Sequence, residues 1–180
     1  MNLNLRQCLQ QVTDVDDVSK HLVLVEALKP KNMHSLLRVD FEVQVDRYTC
    51  AVYAFDLVDD PTYVEIATYG LCKTFAGREF VEYVLENELL TELGDTSQGL
   101  GDLAIYFENN EFRHVGRVNI HNRIISKWGE GLLWEHEIWE VPVSYGNEVF
   151  FYALPSTCTG LDLFCAYAAT QGFYQEYGDD

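Results

Sequence analysis

Hydrophobic and polar residues alternate cleanly over residues 39–45, with Val39, Phe41, Val43 and Val45 set against Asp40, Glu42 and Gln44. A period of two predicts a strand with one buried face. Strand patterning returns at residues 103–107, 112–118, 123–127, 137–141 and 148–152. The breaks between these runs are turn-like: Glu108-Asn109-Asn110-Glu111 reads as a hairpin, His121-Asn122 as a second turn, and 128–131 as a loop. Pro142 and Tyr145-Gly146-Asn147 separate the last two runs. Helical spacing appears at residues 3–12, where Leu3, Leu5, Cys8, Leu9 and Val12 share a face. It appears again at 74–90, where Phe75, Phe80, Val81, Val84, Leu85 and Leu89 form the apolar side. A buried helix is expected over 50–58, capped by Thr49 and broken by Asp59-Asp60-Pro61. A closing helix over 161–169 follows Thr159-Gly160. Residues 22–28 are apolar but too short for periodicity to separate a strand from a buried helical turn, and Pro30 ends them. Asp14, Asp16 and Asp17 mark a turn, 94–101 a loop, and 176–180 a frayed polar tail.

Helices come first, then an antiparallel meander, then a short helix. That order predicts an α+β fold, helices packed on a central antiparallel sheet, rather than a doubly wound one. Repeats and linkers are absent, so residues 1–180 read as a single domain: a core over 40–153, an N-terminal helical extension over 1–38 and a C-terminal helix over 160–172. A hydrophobic content of 48% with 23% charged residues supports a real core.

Charge narrows the partners. There are 29 acidic residues against 12 basic ones, for a net charge of −17. No basic run is present to neutralise phosphates, so nucleic acid is excluded as a direct partner. Anionic membrane surfaces would repel the chain, and no apolar stretch is long enough to span a bilayer. The acids are scattered, not set in phosphate-like rows, which argues against nucleic-acid mimicry. The first residues lack the apolar core of a signal peptide, so a cytoplasmic location is expected, with export only by a dedicated secretion system. Five cysteines, Cys8, Cys50, Cys72, Cys158 and Cys165, are an odd number without metal-knuckle spacing and read as reduced thiols. No cofactor and no metal site is expected. The spacing of His114, His121 and His136 matches no zinc pattern.

A thiol nucleophile needs a lowered pKa, a base within reach, and a group that orients the base. Cys50 follows a cap residue at the start of a helix, where exposed N–H groups favour a thiolate. His114 lies mid-strand in Phe112-Arg113-His114-Val115-Gly116, a rigid platform for a base. Gly116 permits close approach of another segment. The other four cysteines lack such context and read as buried thiols. Asp102 reads as a turn cap.

Gly101-Asp102-Leu103-Ala104-Ile105-Tyr106-Phe107, a turn, then His114-Val115-Gly116-Arg117-Val118 resembles the central hairpin of NlpC-type cysteine peptidases, amidases and acyltransferases of the papain-like superfamily. In that class the catalytic Cys opens a buried helix upstream, which Tyr48-Thr49-Cys50-Ala51-Val52 matches in pattern. Residues 124–129, with His136 and Val141-Pro142, also look like a small bacterial subgroup of unassigned function within the class. The resemblance implies an NlpC-type fold and a Cys50–His114 dyad. It also implies a third polar residue about a dozen positions after the His, which falls at Ser126. It implies attack on an amide carbonyl, with peptidoglycan stem peptides as the common substrate of the wider class. Tyr48 would add a hydroxyl near the oxyanion, and Trp128 and His136 would line the substrate groove. Two features depart from the class pattern: Thr49-Cys50-Ala51 replaces Asp-Cys-Ser or Asn-Cys, and Ser126 is a rotatable orienter. The alternative is a catalytically silent papain-like domain that binds a protein partner, for which the acidic surface favours a basic one.

Overall fold

The computed structural model describes residues 1–44, 47–69, 74–94 and 98–172. Val45, Cys72 and the tail at 176–180 lie outside the described residues. The helices are α1 (Leu3–Thr13), α2 (His21–Leu28), α3 (Cys50–Ala54), α4 (Pro61–Tyr69), α5 (Arg78–Glu86) and α6 (Gly160–Thr170). The strands are β1 (Leu37–Val39), β2 (Thr91–Leu93), β3 (Leu103–Glu108), β4 (Glu111–Val118), β5 (Ile124–Lys127), β6 (Leu133–His136) and β7 (Glu148–Ala153). Single 3-10 turns occupy Val18–Lys20 and Val143–Tyr145.

Among the described residues the strands form one antiparallel sheet in the order β1-β6-β5-β4-β3-β7-β2. The α+β class is therefore as the element order implied. The meander β3 to β6 occupies its middle, and β7 returns to pair with β3. Asn109 and Asn110, at φ 54° and 63°, make the β3–β4 turn, since both centre residues of such a tight hairpin need positive φ.

Each face of the sheet has its own core. On one side, Leu103, Ile105, Phe112 and Val115 pack against α3, α4, α5 and α6, with Val52, Ile66, Phe80 and Phe164 among the buried contacts. On the other, Ala104, Tyr106, Val118, Ile124 and Trp134 pack against Leu5 and Leu9 of α1 and Val25 of α2. β3 is covered on both faces, which is why its sequence is a continuous apolar run and not an alternation. The N-terminal helices thus pack on one face of the sheet.

Local side-chain chemistry explains where the structure departs from the periodicity. The strand expected over 39–45 ends at Val39. Phe41 turns out of the ladder to sit edge-on against Tyr48 and Tyr53, 5.5 and 5.7 Å between ring centres. The helix at Cys50 is shorter than expected, closing at Ala54 before Asp56 takes φ 62°. The break at Asp59-Asp60-Pro61 is a helix start: the Asp60 carboxylate accepts from the N–H groups of Thr62 and Tyr63, and Pro61 occupies the first helical position. α5 begins only at Arg78, after Gly77. The strand expected over 137–141 lies earlier, at Leu133–His136. The Glu140 carboxylate, accepting from the backbone N–H groups of Glu137 and Ser35, stabilises a turn there instead. Cys8, Cys158 and Cys165 are half-buried, not core thiols.

Candidate active site

Cys50 is placed by its cap. The Thr49 hydroxyl accepts from the Val52 N–H at 3.2 Å and donates to the Ala76 carbonyl at 2.9 Å, fixing the start of α3 against the segment before α5. Cys50 lines a cleft of about 610 Å³ with Arg47, Tyr48, Tyr63, Lys127 and Gly129. The residue is partly exposed, and its sulfur is hydrogen-bonded to the backbone of Val115 on β4. Burial of the thiol pushes its pKa up. The backbone bonds of Val115 and Ala51 and the positive charge of Lys127 pull the other way without overcoming it. At rest the sulfur carries its proton.

Lys127 has no precedent in the sequence expectations. It is 1% exposed, with its Nζ donating to the Gly129 carbonyl at 2.5 Å and lying 5.3 Å from the centre of the Tyr48 ring. Strand parity explains its position. Ile124 and Ser126 face α1, so Lys127 faces α3 and Cys50. Tyr48 lines the cleft, and its hydroxyl is buried without a partner among the described residues.

His114 pairs across the ladder with Tyr106, so both side chains point to the α1 face. The imidazole is 2% exposed and stacks on Tyr145 with ring centres 3.8 Å apart and planes 17° apart. Tyr106 flanks it at 5.8 Å. Burial lowers its pKa well below the usual value, helped by His136 and Lys127, so the ring is neutral. Among the described residues its Nε2 has no hydrogen-bond partner, Cys50 included. Cys50 and His114 make no hydrogen bond with each other, and Tyr145, stacked on His114, lies within electrostatic reach of the Cys50 sulfur.

Ser126 does not orient His114. Its hydroxyl lies 2.8 Å from Nε2 of His136 and accepts from Nε1–H of Trp128 at 3.2 Å. Nδ1 of His136 is 2.8 Å from the Glu137 carbonyl, which can only accept, so Nδ1 carries the proton and Nε2 accepts from Ser126. Trp128, Ser126 and His136 form a closed chain with every ring and hydroxyl donor used. All three are buried, at 1%, 0% and 0% exposure, so Trp128 and His136 do not line the cleft. The pattern of β5 and β6 explains both misplacements: Ser126, Trp134 and His136 point to one face, and that face is sealed by α1.

Gly116 does what a close approach requires. A Cβ there would fall 2.5 Å from Ile124 Cγ2 and 2.9 Å from the Ser126 Cβ. Asp102 is the turn cap, its carboxylate accepting from the Gly99 N–H at 2.5 Å. His121 is exposed on the turn before β5. Among the described residues no three His, Cys, Asp or Glu side chains gather closely enough to hold a metal ion, and no helix is long and apolar enough to cross a membrane.

The fold and cleft define an α+β protein with a cysteine lining a cleft beside a buried lysine. The profile of a domain family of unknown function, DUF7689, matches residues 42–153. That is more than half of the chain, and the chain belongs to this family. Neither the curated proteins nor the solved structures contain a match.

Proposed function

We propose that the protein is a thiol-dependent hydrolase or transferase acting on an amide bond, built on a papain-like, NlpC-type scaffold, with Cys50 as nucleophile and His114 as base. One observation carries the reading: two side chains with roles in it hold buried polar atoms without a partner among the described residues. They are His114 Nε2 and Tyr48 Oη, the latter in the cleft that Cys50 lines. An unsatisfied buried polar group costs about 1–3 kcal/mol, so leaving both open calls for a function.

In this reading the resting pair is an uncharged thiol and an uncharged imidazole. As sulfur attacks the amide carbonyl, its proton passes to His114 and the S–C bond forms. The C–N bond then breaks, and the amine leaves with that proton. Water, or an acceptor amine, resolves the thioester and regenerates the thiol. Lys127 stabilises the negative sulfur as the proton departs, since a charge in a poorly solvated site acts more strongly than in water. Amide-containing peptides, peptidoglycan stem peptides among them, are the substrate class.

A second reading has its own observation. Cys50 and His114 share no hydrogen bond, and the Ser126 hydroxyl is committed to His136. A silent domain presenting this cleft to a basic protein partner fits that arrangement and the net charge of −17. The two readings separate by iodoacetamide alkylation from pH 5 to 10, followed on the Cys50 peptide by mass spectrometry. The hydrolase reading expects His114→Ala to slow Cys50 on the order of ten-fold at pH 7. Equal rates in the two proteins across the pH range would leave the binding module.

A further inference from the structure

The ring of His114 has lost its expected orienter, because Ser126 serves His136. What holds it instead is a flat stack. Tyr145 covers one face of the imidazole at 3.8 Å and 17°. Tyr145 sits at the end of the 3-10 turn Val143–Tyr145, in a segment with no ladder of its own. That segment is fastened from α1. Arg6 Nε donates to the Val141 carbonyl at 3.1 Å, and Nη2 donates to the carbonyls of Pro142 at 3.1 Å, Val143 at 3.5 Å and Gly146. Gln10, one turn later on α1, accepts from the Ser144 N–H at 3.1 Å.

Arg6 is 1% exposed, and its hydrogen bonds to this segment are all made to backbone carbonyls, with no carboxylate among them. Its guanidinium also lies 5.4 Å from the Trp139 ring centre. A buried cation held this way is costly to keep, and its return is a fixed loop. Gly146 completes the device. It has φ 100°, and a Cβ there would fall 2.1 Å from the Phe107 carbonyl oxygen, so the turn is pressed onto the end of β3.

We infer that Tyr145, clamped by Arg6 from the N-terminal helix, is the positioning residue for His114, and that α1 is therefore part of the reactive site although it lies outside the matched family region. The inference rests on the thiol-hydrolase reading. Tyr145 acts through its ring, by fixing the plane of the imidazole and shielding it from water. Among the described residues, the titratable groups around His114 are Tyr145 and Tyr106, with ring centres 3.8 and 5.8 Å away, and His136 and Lys127, whose charges act on it.

The test uses the full chain with Tyr145→Leu, Tyr145→Phe, Arg6→Met and Arg6→Lys, each in otherwise native and in His114→Ala backgrounds. Two quantities are read: the iodoacetamide rate at the Cys50 peptide against pH, and the His114 imidazole titration by NMR. Alkylation of the Cys8 and Cys165 peptides reports whether each variant remains folded. Tyr145→Leu and Arg6→Met should slow Cys50 on the order of ten-fold at pH 7, and only where His114 is present. The His114 titration should move up toward the ordinary histidine range as water reaches the ring. Tyr145→Phe should keep the native rate and profile, and Arg6→Lys should recover part of what Arg6→Met loses. Native rates and an unmoved His114 titration in folded Tyr145→Leu would overturn the inference. Equal losses in Tyr145→Phe and Tyr145→Leu would also overturn it, by assigning the effect to the hydroxyl. If His114→Ala alone leaves the Cys50 rate unchanged, the hydrolase reading fails first and this inference falls with it. If His114→Ala slows Cys50 and Tyr145→Leu does not, only the inference fails.

Discussion

Acid should destabilise this protein through His136 in a way that can be isolated from its other charges. The imidazole is fully buried, and burial is the main cause that drops its pKa from the ordinary 6.5 to about 4. Glu140 and the Glu137 carbonyl raise it slightly, and Arg123 lowers it. The sign follows from proton counting. Between the two values the unfolded chain holds a proton on this histidine and the folded protein does not, so stability falls as pH falls. The contribution is intact above about pH 6.5 and is lost as pH approaches about 4. A fall from 6.5 to about 4 corresponds to about 3 kcal/mol, and about 2 kcal/mol is already gone at about pH 5. That is a sizeable part of the 5–15 kcal/mol typical of a domain. Urea unfolding at intervals from pH 7.5 to 4.5 would measure it, with His136→Gln as the comparison. Carboxylates and His114 titrate in both proteins, so the difference between the two curves reports His136. The native protein should lose about 2 kcal/mol more than the variant between pH 7.5 and 5. Parallel curves, or an NMR titration of His136 centred near 6.5, would refute the reasoning and mean that water reaches the ring.

Two further substitutions test the packing. Ser126→Ala removes the hydroxyl that joins Trp128 Nε1–H to His136 Nε2, leaving a buried donor and a buried acceptor unpaired. Denaturant unfolding should show a loss of about 2–4 kcal/mol, and slower Cys50 alkylation at unchanged stability would instead return Ser126 to the service of His114. Gly160→Ala should destabilise by at least about 1–3 kcal/mol in the same assay, against the gain that helix propensity alone would give. Its Cβ would lie 1.9 Å from the Phe55 carbonyl oxygen, where α6 starts on the end of α3. A neutral or stabilising outcome there would mean that α6 does not sit on Phe55.

The sequence by itself determined the local elements wherever a rule acts within a few residues. The amphipathic spacing of α1, the Thr49 cap, the Asn109-Asn110 turn and the strands β3, β4, β5 and β7 all follow from side chains and their immediate neighbours. The α+β class followed from their order. β3 was legible as a strand, although its continuous apolar run hides which face is which. Only the tertiary structure decided the rest. Phe41 abandons its ladder for Tyr48 and Tyr53, and Glu140 reaches back to Ser35 to turn a would-be strand into a corner. The site divides in the same way. Cys50 at a helix start and His114 on a strand could be read from spacing, because each depends on its own element. Three arrangements depend on which strand lies beside which: Ser126 with His136, Lys127 beside Cys50, and the fastening of Tyr145 by Arg6 across 135 residues or more. Side-chain parity sets the face each residue occupies, but the partner waiting on that face is chosen by the sheet order and by the helix that seals it.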